Sequence, residues 1–407
     1  MNRPWTPETL GDVIDRIASP ANPAAAAALR QHRPKIVAAV QSAFDALFRD
    51  DGGALDLPAR YACAALVARL TPEPALAAFY EAAASGDDAG AADAAGAADA
   101  DDAARTPLRL AVLAHARRVT LAPEEAGRAS LATLRAAGLG ERDIVILSQL
   151  IGYVAFQARV IGAVRALLGT DADAPDSGSN TNSDDTAVDL ASFKRFQGFT
   201  AAALDWQSWL TPVDAAQATP EQNAVLDESG PTARTSPYYL TLVHDPDVLR
   251  QRSSAYNAIM YAPGGLGRAD RELAALVVSM LNGCPYCASV HAQRLNQLTR
   301  DGELVERVFA DPFTGGANAR EQELLRYARR LTLEVGAFDQ GDVARLRALG
   351  MSRDEIVDVS HVVAIFGWAN RLMQTLGAPA PHADPAPAPA SPVDATAPPS
   401  ASGASHD

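Results

Sequence analysis

Two thiols, an imidazole and a carboxyl crowd into one stretch of the chain: Cys284-Pro285-Tyr286-Cys287, then His291 four residues on, with Glu272 twelve residues before the first cysteine. Thiols at i and i+3 can close a disulfide within one helical turn. A nearby carboxyl and imidazole can carry protons to and from them, which completes the equipment for thiol redox chemistry. The same four side chains are candidate zinc ligands. Ligands at i, i+3 and i+7 of one helix converge poorly without a second cluster, so a redox pair is the favoured reading and no metal is expected.

These groups need two consecutive helices to position them. Residues 270–281 read as a buried helix, with Asp270 as its cap and Glu272 in its first turn. Asn282-Gly283 supplies a stop, and a second helix starts near Cys284, with Pro285 where a first-turn proline is tolerated. Cys284, Cys287 and His291 then share one face, which Glu272 reaches only through tertiary packing. Buried there, Glu272 is expected to have a raised pKa and to exchange protons with the imidazole. The helix start favours Cys284 as the low-pKa thiol; the nearer histidine favours Cys287.

The pattern Glu-x11-Cys-x2-Cys-x3-His on two consecutive helices resembles the alkylhydroperoxidase D-like and carboxymuconolactone decarboxylase superfamily, and Asn370-Arg371 also looks like that family. The resemblance implies an all-helical fold that forms trimers or hexamers. It also implies reduction of hydroperoxides by a cysteine pair that an external dithiol such as dihydrolipoamide recycles, with no bound cofactor. By that resemblance Cys287 is the peroxidatic cysteine, Cys284 resolves it, and His291 with Glu272 forms the proton relay. Better-known peroxidase members carry a histidine directly before the second cysteine. Here it is Tyr286, whose pKa of about 10 removes it as a proton shuttle near neutrality and leaves room for a related thiol oxidoreductase activity. The alternatives are a decarboxylase or hydrolase of a small acid or lactone, with His291 and Glu272 as acid and base, and a non-enzymatic assembly module.

Composition narrows the setting. The chain has 407 residues, 48% of them hydrophobic, a formal net charge of −14 and only three cysteines. That length allows two or three domains. The acidity argues against nucleic acid and anionic membrane surfaces. An odd, small cysteine count fits a reducing cytosol. Residues 1–7 lack an apolar signal core, and no stretch is expected to reach the roughly 18 apolar residues of a membrane helix.

The two halves match at a constant offset of 212. Ala116-Arg117-Arg118-Val119-Thr120-Leu121 pairs with Ala328-Arg329-Arg330-Leu331-Thr332-Leu333, Gly52-Gly53 with Gly264-Gly265, Gly138 with Gly350, and Arg159 with Arg371. This points to duplication in an all-α fold. Two homologous helical domains, 8–167 and 190–378, are joined by a disordered linker over 168–188 and followed by a disordered tail over 379–407. Residues 190–235 dock as an extension of the second domain, and 85–102 form a flexible loop. The resemblance makes this a tandem of a decarboxylase-like and a peroxidase-related domain, of which three chains could imitate a hexamer of single domains. Subtracting 212 from the four reactive positions gives Arg60, Pro72, Ala75 and Phe79, so the first domain is expected to be a non-catalytic copy. Cys63 is expected in the core, His115 and His361 in structural roles, and Arg371 in a buried ion pair at a subunit contact.

Overall fold

The structure, a computed structural model, describes residues 11–85, 98–172 and 196–382. Most of the expected linker and tail, and most of the expected loop over 85–102, lie outside these residues. Among the described residues there are seventeen α-helices and one two-stranded ribbon, so the fold is all-α.

The first half runs through α1 (Val13–Ala18), α2 (Pro23–Arg30), α3 (Pro34–Leu47), α4 (Leu57–Leu70), α5 (Pro74–Ser85), α6 (Ala98–Leu121), α7 (Arg128–Ala136) and α8 (Glu141–Ala172). Several starts are written locally. Asp56 accepts a hydrogen bond from the N–H of Ala59 to cap α4, and prolines fill the first turns of α2, α3 and α4. Two of the expected boundaries shift: α6 already covers 98–102, and α8 runs through 168–172, where a linker was expected.

The second half begins with β1 (Leu204–Ser208), α9 (Pro220–Glu228) and α10 (Pro237–Leu242). It continues through α11 (Pro246–Tyr261), α12 (Arg268–Leu281), α13 (Pro285–Thr299), α14 (Gly302–Ala310), α15 (Ala319–Leu333), α16 (Gln340–Ala348), α17 (Arg353–Thr375) and β2 (Gly377–Pro381). β1 and β2 pair antiparallel from Leu204 opposite Pro381 to Ser208 opposite Gly377. Trp206 pins this ribbon to α17 by donating its Nε1–H to the carbonyl of Met373 at 2.9 Å. The expected tail therefore starts too early, since 379–381 belong to a strand.

Many element starts repeat at 212: α3 and α11 at 34 and 246, α7 and α16 at 128 and 340, α8 and α17 at 141 and 353. The two 3-10 turns, Pro123–Glu125 and Val335–Ala337, and the left-handed glycines Gly52 and Gly264, Gly138 and Gly350, repeat likewise. The reactive hairpin does not. α4 and α12 start at 57 and 268, and α5 and α13 at 74 and 285, an offset of 211. The contacts of Arg60 agree: it donates to the carbonyls of Leu47, Arg49 and Leu55, as Arg271 donates to those of Ile259, Ala262 and Gly264. The first half thus holds one extra residue in the loop before α4. The positions facing Glu272, Cys284, Cys287 and His291 become Tyr61, Glu73, Leu76 and Tyr80, not Arg60, Pro72, Ala75 and Phe79.

The two halves meet along α8 and α17. Trp368 packs edge-on against Tyr153, with ring centroids 5.3 Å apart, and donates to Gln149 Oε1 at 2.9 Å. Across the same seam Arg33 forks onto Asp358, Nε to Oδ1 at 2.8 Å and Nη2 to Oδ2 at 2.6 Å. By length and composition, Glu141–Gly169 of α8 could cross a membrane, which overturns the expectation that no stretch would, but its most apolar window is wholly buried within the protein. An all-round apolar helix of this kind is also what the centre of a large soluble bundle needs.

Candidate active site

α12 is capped differently from the sequence reading. Its N-cap is Gly267, so Asp270 lies inside the first turn, where it pairs with Arg320, and Glu272 falls beyond that turn. The far end forms as the sequence suggests. Gly283 adopts φ +63°, the Gly283 N–H bonds to the Met280 carbonyl, and the Cys284 N–H bonds to that of Ser279 at 2.8 Å. This left-handed stop reverses the chain without an orphaned carbonyl. A side chain at 283 would also collide with the Phe196 ring, 2.8 Å from where its Cβ would lie. Cys284 is then the N-cap of α13, with Pro285 in the first turn.

The four expected residues form two pairs, with His291 and Cys287 one helical turn apart on α13. His291 Nδ1 lies 2.5 Å from Glu272 Oε2, with both side chains buried. Arg268 donates its Nε–H to the other carboxylate oxygen at 2.6 Å. Burial would push Glu272 up, but the hydrogen bond and charge of His291, and then those of Arg268, hold it below the ordinary glutamate value. The expected raised pKa is therefore wrong: Glu272 is ionised at neutral pH. An ionised carboxylate only accepts, so Nδ1 carries a proton and donates it to Glu272. The ring stands edge-on to Phe366, centroids 4.5 Å apart, which fixes its plane.

The second pair is the cysteines, both free thiols. Cys287 lies below the ordinary thiol value because the Cys284 thiol donates to it, with further help from Asn370 and from the charge of Arg252 against the cost of burial. Cys284 lies well above, through burial and through that donated hydrogen bond. Both shifts run in the direction a nucleophilic Cys287 would need, though through groups other than His291. Cys287 is also the more exposed residue, 6% against 1% for Cys284.

Several contributing groups were given no role at the site by the sequence, although Asn370 stood out there through its resemblance to the family. Arg268 sits one helical turn before Glu272, a spacing that could have flagged it. Asn370, on α17, accepts from Asn282 Nδ2 at 2.9 Å and donates to Ser279 Oγ at 3.1 Å, which orients its amide beside the sulfurs. Arg252, on α11, lies 5.4 Å from the centre of the Tyr238 ring and 5.3 Å from that of Tyr256. The Tyr238 hydroxyl is buried without a hydrogen-bond partner. No local spacing announces Arg252 or Tyr238, since both arrive from other elements. Tyr286 is half-buried, and burial raises its pKa further. Among the described residues no three His, Cys, Asp or Glu side chains form a group able to hold a metal ion.

Residues 246–330 match the profile of the Carboxymuconolactone decarboxylase family. That span holds α11 to α14 and most of α15, and so all four residues of the two pairs. No curated protein matches the chain. Among solved structures, one described as an alkylhydroperoxidase core, an uncharacterized peroxidase-related protein from Ralstonia eutropha JMP134, is 22% identical. It covers 42% of this chain and 90% of its own, with a TM-score of 0.37. An uncharacterized peroxidase-related protein from Silicibacter sp. TM1040 is 24% identical and covers 40% of this chain and 86% of its own, with a TM-score of 0.33.

The remaining expectations divide. Cys63 is fully buried, and burial pushes its thiol to about 12, which makes it an inert core residue. His115 is buried with neither ring nitrogen bonded, and His361 is buried beside the backbone of Val357 and the ring of Phe156. Among the described residues Arg371 makes no ion pair; it donates to the carbonyls of Gly367 and Thr120, at the contact between the halves.

Proposed function

We propose that the protein is a thiol-dependent hydroperoxide reductase working through a Cys284/Cys287 dithiol–disulfide cycle. The observation that carries this is the arrangement of the hairpin: two free thiols one helical turn apart at the start of α13, on the helix whose His291 is bonded to Glu272. A lowered thiol at pH 7 supplies the nucleophile, and a raised one stays protonated until its turn.

In the first step the Cys287 thiolate attacks the terminal oxygen of the hydroperoxide. The O–O bond breaks, the alkoxide leaves as an alcohol after taking a proton, and Cys287 becomes a sulfenic acid. Cys284 loses its proton and attacks that sulfur, water departs, and the disulfide forms. An external dithiol, of the lipoyl class, reduces it by exchange. His291 is the proton carrier for these transfers, and Glu272 holds it in the Nδ1–H form so that Nε2 faces the chemistry as a base. Arg252 and the free Tyr238 hydroxyl stabilise negative charge as the O–O bond parts.

The first half acts as a non-catalytic partner from a tandem duplication, completing the packing that single domains would obtain by assembly. We place the protein in a reducing compartment, the cytoplasm, as a homo-oligomer such as a trimer.

The test is intact-protein mass spectrometry of reduced, metal-free protein before and after one equivalent of an organic hydroperoxide, with peptide mapping. A rapid loss of two hydrogens mapping to Cys284 and Cys287 is expected; unchanged thiols would sink the proposal. One observation favours a second reading. Glu272 and His291 bond to each other, an acid–base pair complete without either sulfur, as a decarboxylase or hydrolase of a small acid or lactone requires. Turnover of such a compound by the C284S/C287S double variant would select that reading.

A further inference from the structure

The seam between α8 and α17 contains two arginines related by the 212-residue shift. Arg159 donates from Nη1 to the Ala155 carbonyl of its own helix at 2.8 Å and from Nη2 to the Thr332 carbonyl of the other half at 2.9 Å. Arg371 repeats both bonds in mirror order, to Gly367 at 2.8 Å and to Thr120 at 2.9 Å. Both side chains are buried, 2% and 3% exposed. A guanidinium has five N–H donors, so these bonds use two of each five, and both Nε–H groups have no partner.

Neither arginine is ion-paired to a carboxylate among the described residues. Burial pushes both below the ordinary arginine range, Arg371 to about 10, and the charge of Arg371 adds to the depression of Arg159. Two cations held close in a protein interior, without a counter-charge, are costly unless something pairs with them. Both line one cavity of about 570 Å³ between the halves. Glu124 and Glu125 also line it, half-buried and exposed respectively; the charge of Glu124 offsets part of the cost at Arg371, and no carboxylate among the described residues pairs with Arg159.

We propose that this cavity is an oxyanion site, in which a phosphate or carboxylate group bridges Arg159 and Arg371 through their unused N–H donors. Planar guanidinium forks suit such oxygens, and the near two-fold arrangement offers them from both sides. The carbonyl bonds to Thr332 and Thr120 hold each fork in place before the anion arrives, which lowers the ordering cost of binding. The cavity wall reaches Asn282, so the occupant sits against the loop that leads into Cys284. The site stands on its own geometry and does not depend on the thiol chemistry.

Isothermal titration calorimetry of the full chain with inorganic phosphate and, separately, with acetate, in chloride buffer of matched ionic strength, tests it. Saturable binding of one anion per chain is expected. Tighter phosphate identifies a free phosphate ligand; acetate binding as tightly identifies the carboxylate of an organic one. R159M and R371M should each weaken binding about tenfold or more, the loss of charge-assisted hydrogen bonds. E124Q, which removes a competing charge near Arg371, should tighten it several-fold. No saturable binding of either anion to the wild type, or unchanged affinity in folded R159M, would overturn the proposal. If the arginine variants do not fold, unchanged affinity in E124Q does so.

Discussion

The hairpin made by α4 and α5 and the one made by α12 and α13 share a backbone plan, an anchoring arginine at the same point, and a proline opening the second helix. They differ in what fills the angle between the helices. In the second half that space holds an ionised Glu272, His291 and two thiols. In the first it holds Tyr61 and Tyr80 stacked on Phe48, at 4.8 Å and 5.2 Å between ring centroids, with Leu76 fully buried at the position of Cys287. Glu73, at the position of Cys284, is buried and held by Arg165, whose two Nη groups bond its carboxylate at 2.9 Å and 3.0 Å. One hairpin buries an acid–base pair and two thiols; the other buries rings and a carboxylate tied to an arginine. Charged groups inside a protein need every partner in place, whereas aromatic rings hold by area and edge contacts alone. On the proposed function, the first half therefore contributes packing, and the second is where a single substitution would remove activity without unfolding the chain.

Exchanging damage between the two hairpins gives the largest contrast. Cys287→Ser should lower hydroperoxide consumption by on the order of 10³-fold or more while leaving the thermal midpoint nearly unchanged. Leu76→Ala, at the matching position, should cost about 2–5 kcal/mol of stability through the cavity it leaves. The same consumption assay and urea titration applied to both variants decides the matter. A fully active C287S, or an L76A as stable as the wild type, would erase the division of labour.

Each half also carries one buried histidine. Burial lowers His115 and His361 to about 4, from 6.5 in an unfolded chain. The unfolded state therefore binds the proton more readily, and the stability held by the neutral rings is complete above about pH 6.5 and is lost as pH falls towards 4. The loss amounts to about 3 kcal/mol for each ring. Urea unfolding at pH 7 and pH 4 should show it, and His361→Leu should shrink the difference by about half. An undiminished acid loss in H361L would place the proton uptake elsewhere.

Glu272→Gln should lower turnover about 10²-fold, a usual cost of disabling an acid–base partner, because an amide holds the His291 tautomer without charge. The pH–rate profile should change shape as well as height. Tyr61→Phe, its counterpart in the first half, should change turnover by less than about twofold, as substitutions away from the chemistry do. Equal losses in the two variants would make Glu272 merely structural.

The hairpin around Cys284 was legible because its signals are local: the Asn282-Gly283 stop, Pro285, and a cysteine at the helix start each act within a few residues. The ionisation of Glu272 was not, because burial and charge pull in opposite directions and the outcome depends on Arg268 and His291 being within bonding distance. Arg252, Tyr238 and Phe366 reach the site from other helices and leave no spacing to read. The repeat was visible, yet its register at the reactive hairpin was off by one. A constant offset fits the helices on either side and hides one residue gained in the loop before α4. The contacts of Arg60 and Arg271 reveal that residue. The apolarity of α8 shows how composition alone misleads, since a helix sandwiched between two halves reads like one surrounded by lipid.

The seam itself offers the smallest and most controlled comparison, between two glycines of α8. A Cβ on Gly152 would fall 2.2 Å from Trp368 Cδ1, whereas one on Gly162 meets nothing closer than 3.8 Å. The indole at 368 cannot easily yield, because its Nε1–H is committed to Gln149 and its face to Tyr153. Gly152→Ala should therefore destabilise by about 1–3 kcal/mol, the range for forcing extra atoms into a filled core. Gly162→Ala has room, and an alanine in a helix interior is favoured over glycine by about 0.5–1 kcal/mol, so this variant should be slightly more stable than the wild type. Urea midpoints measure both. Opposite signs mean that the halves are fitted to each other at Trp368 and only loosely at residue 162. A G152A protein as stable as G162A would mean that the seam can slide, and then the reciprocal arginine bonds to Thr332 and Thr120 would have to hold the two halves in register.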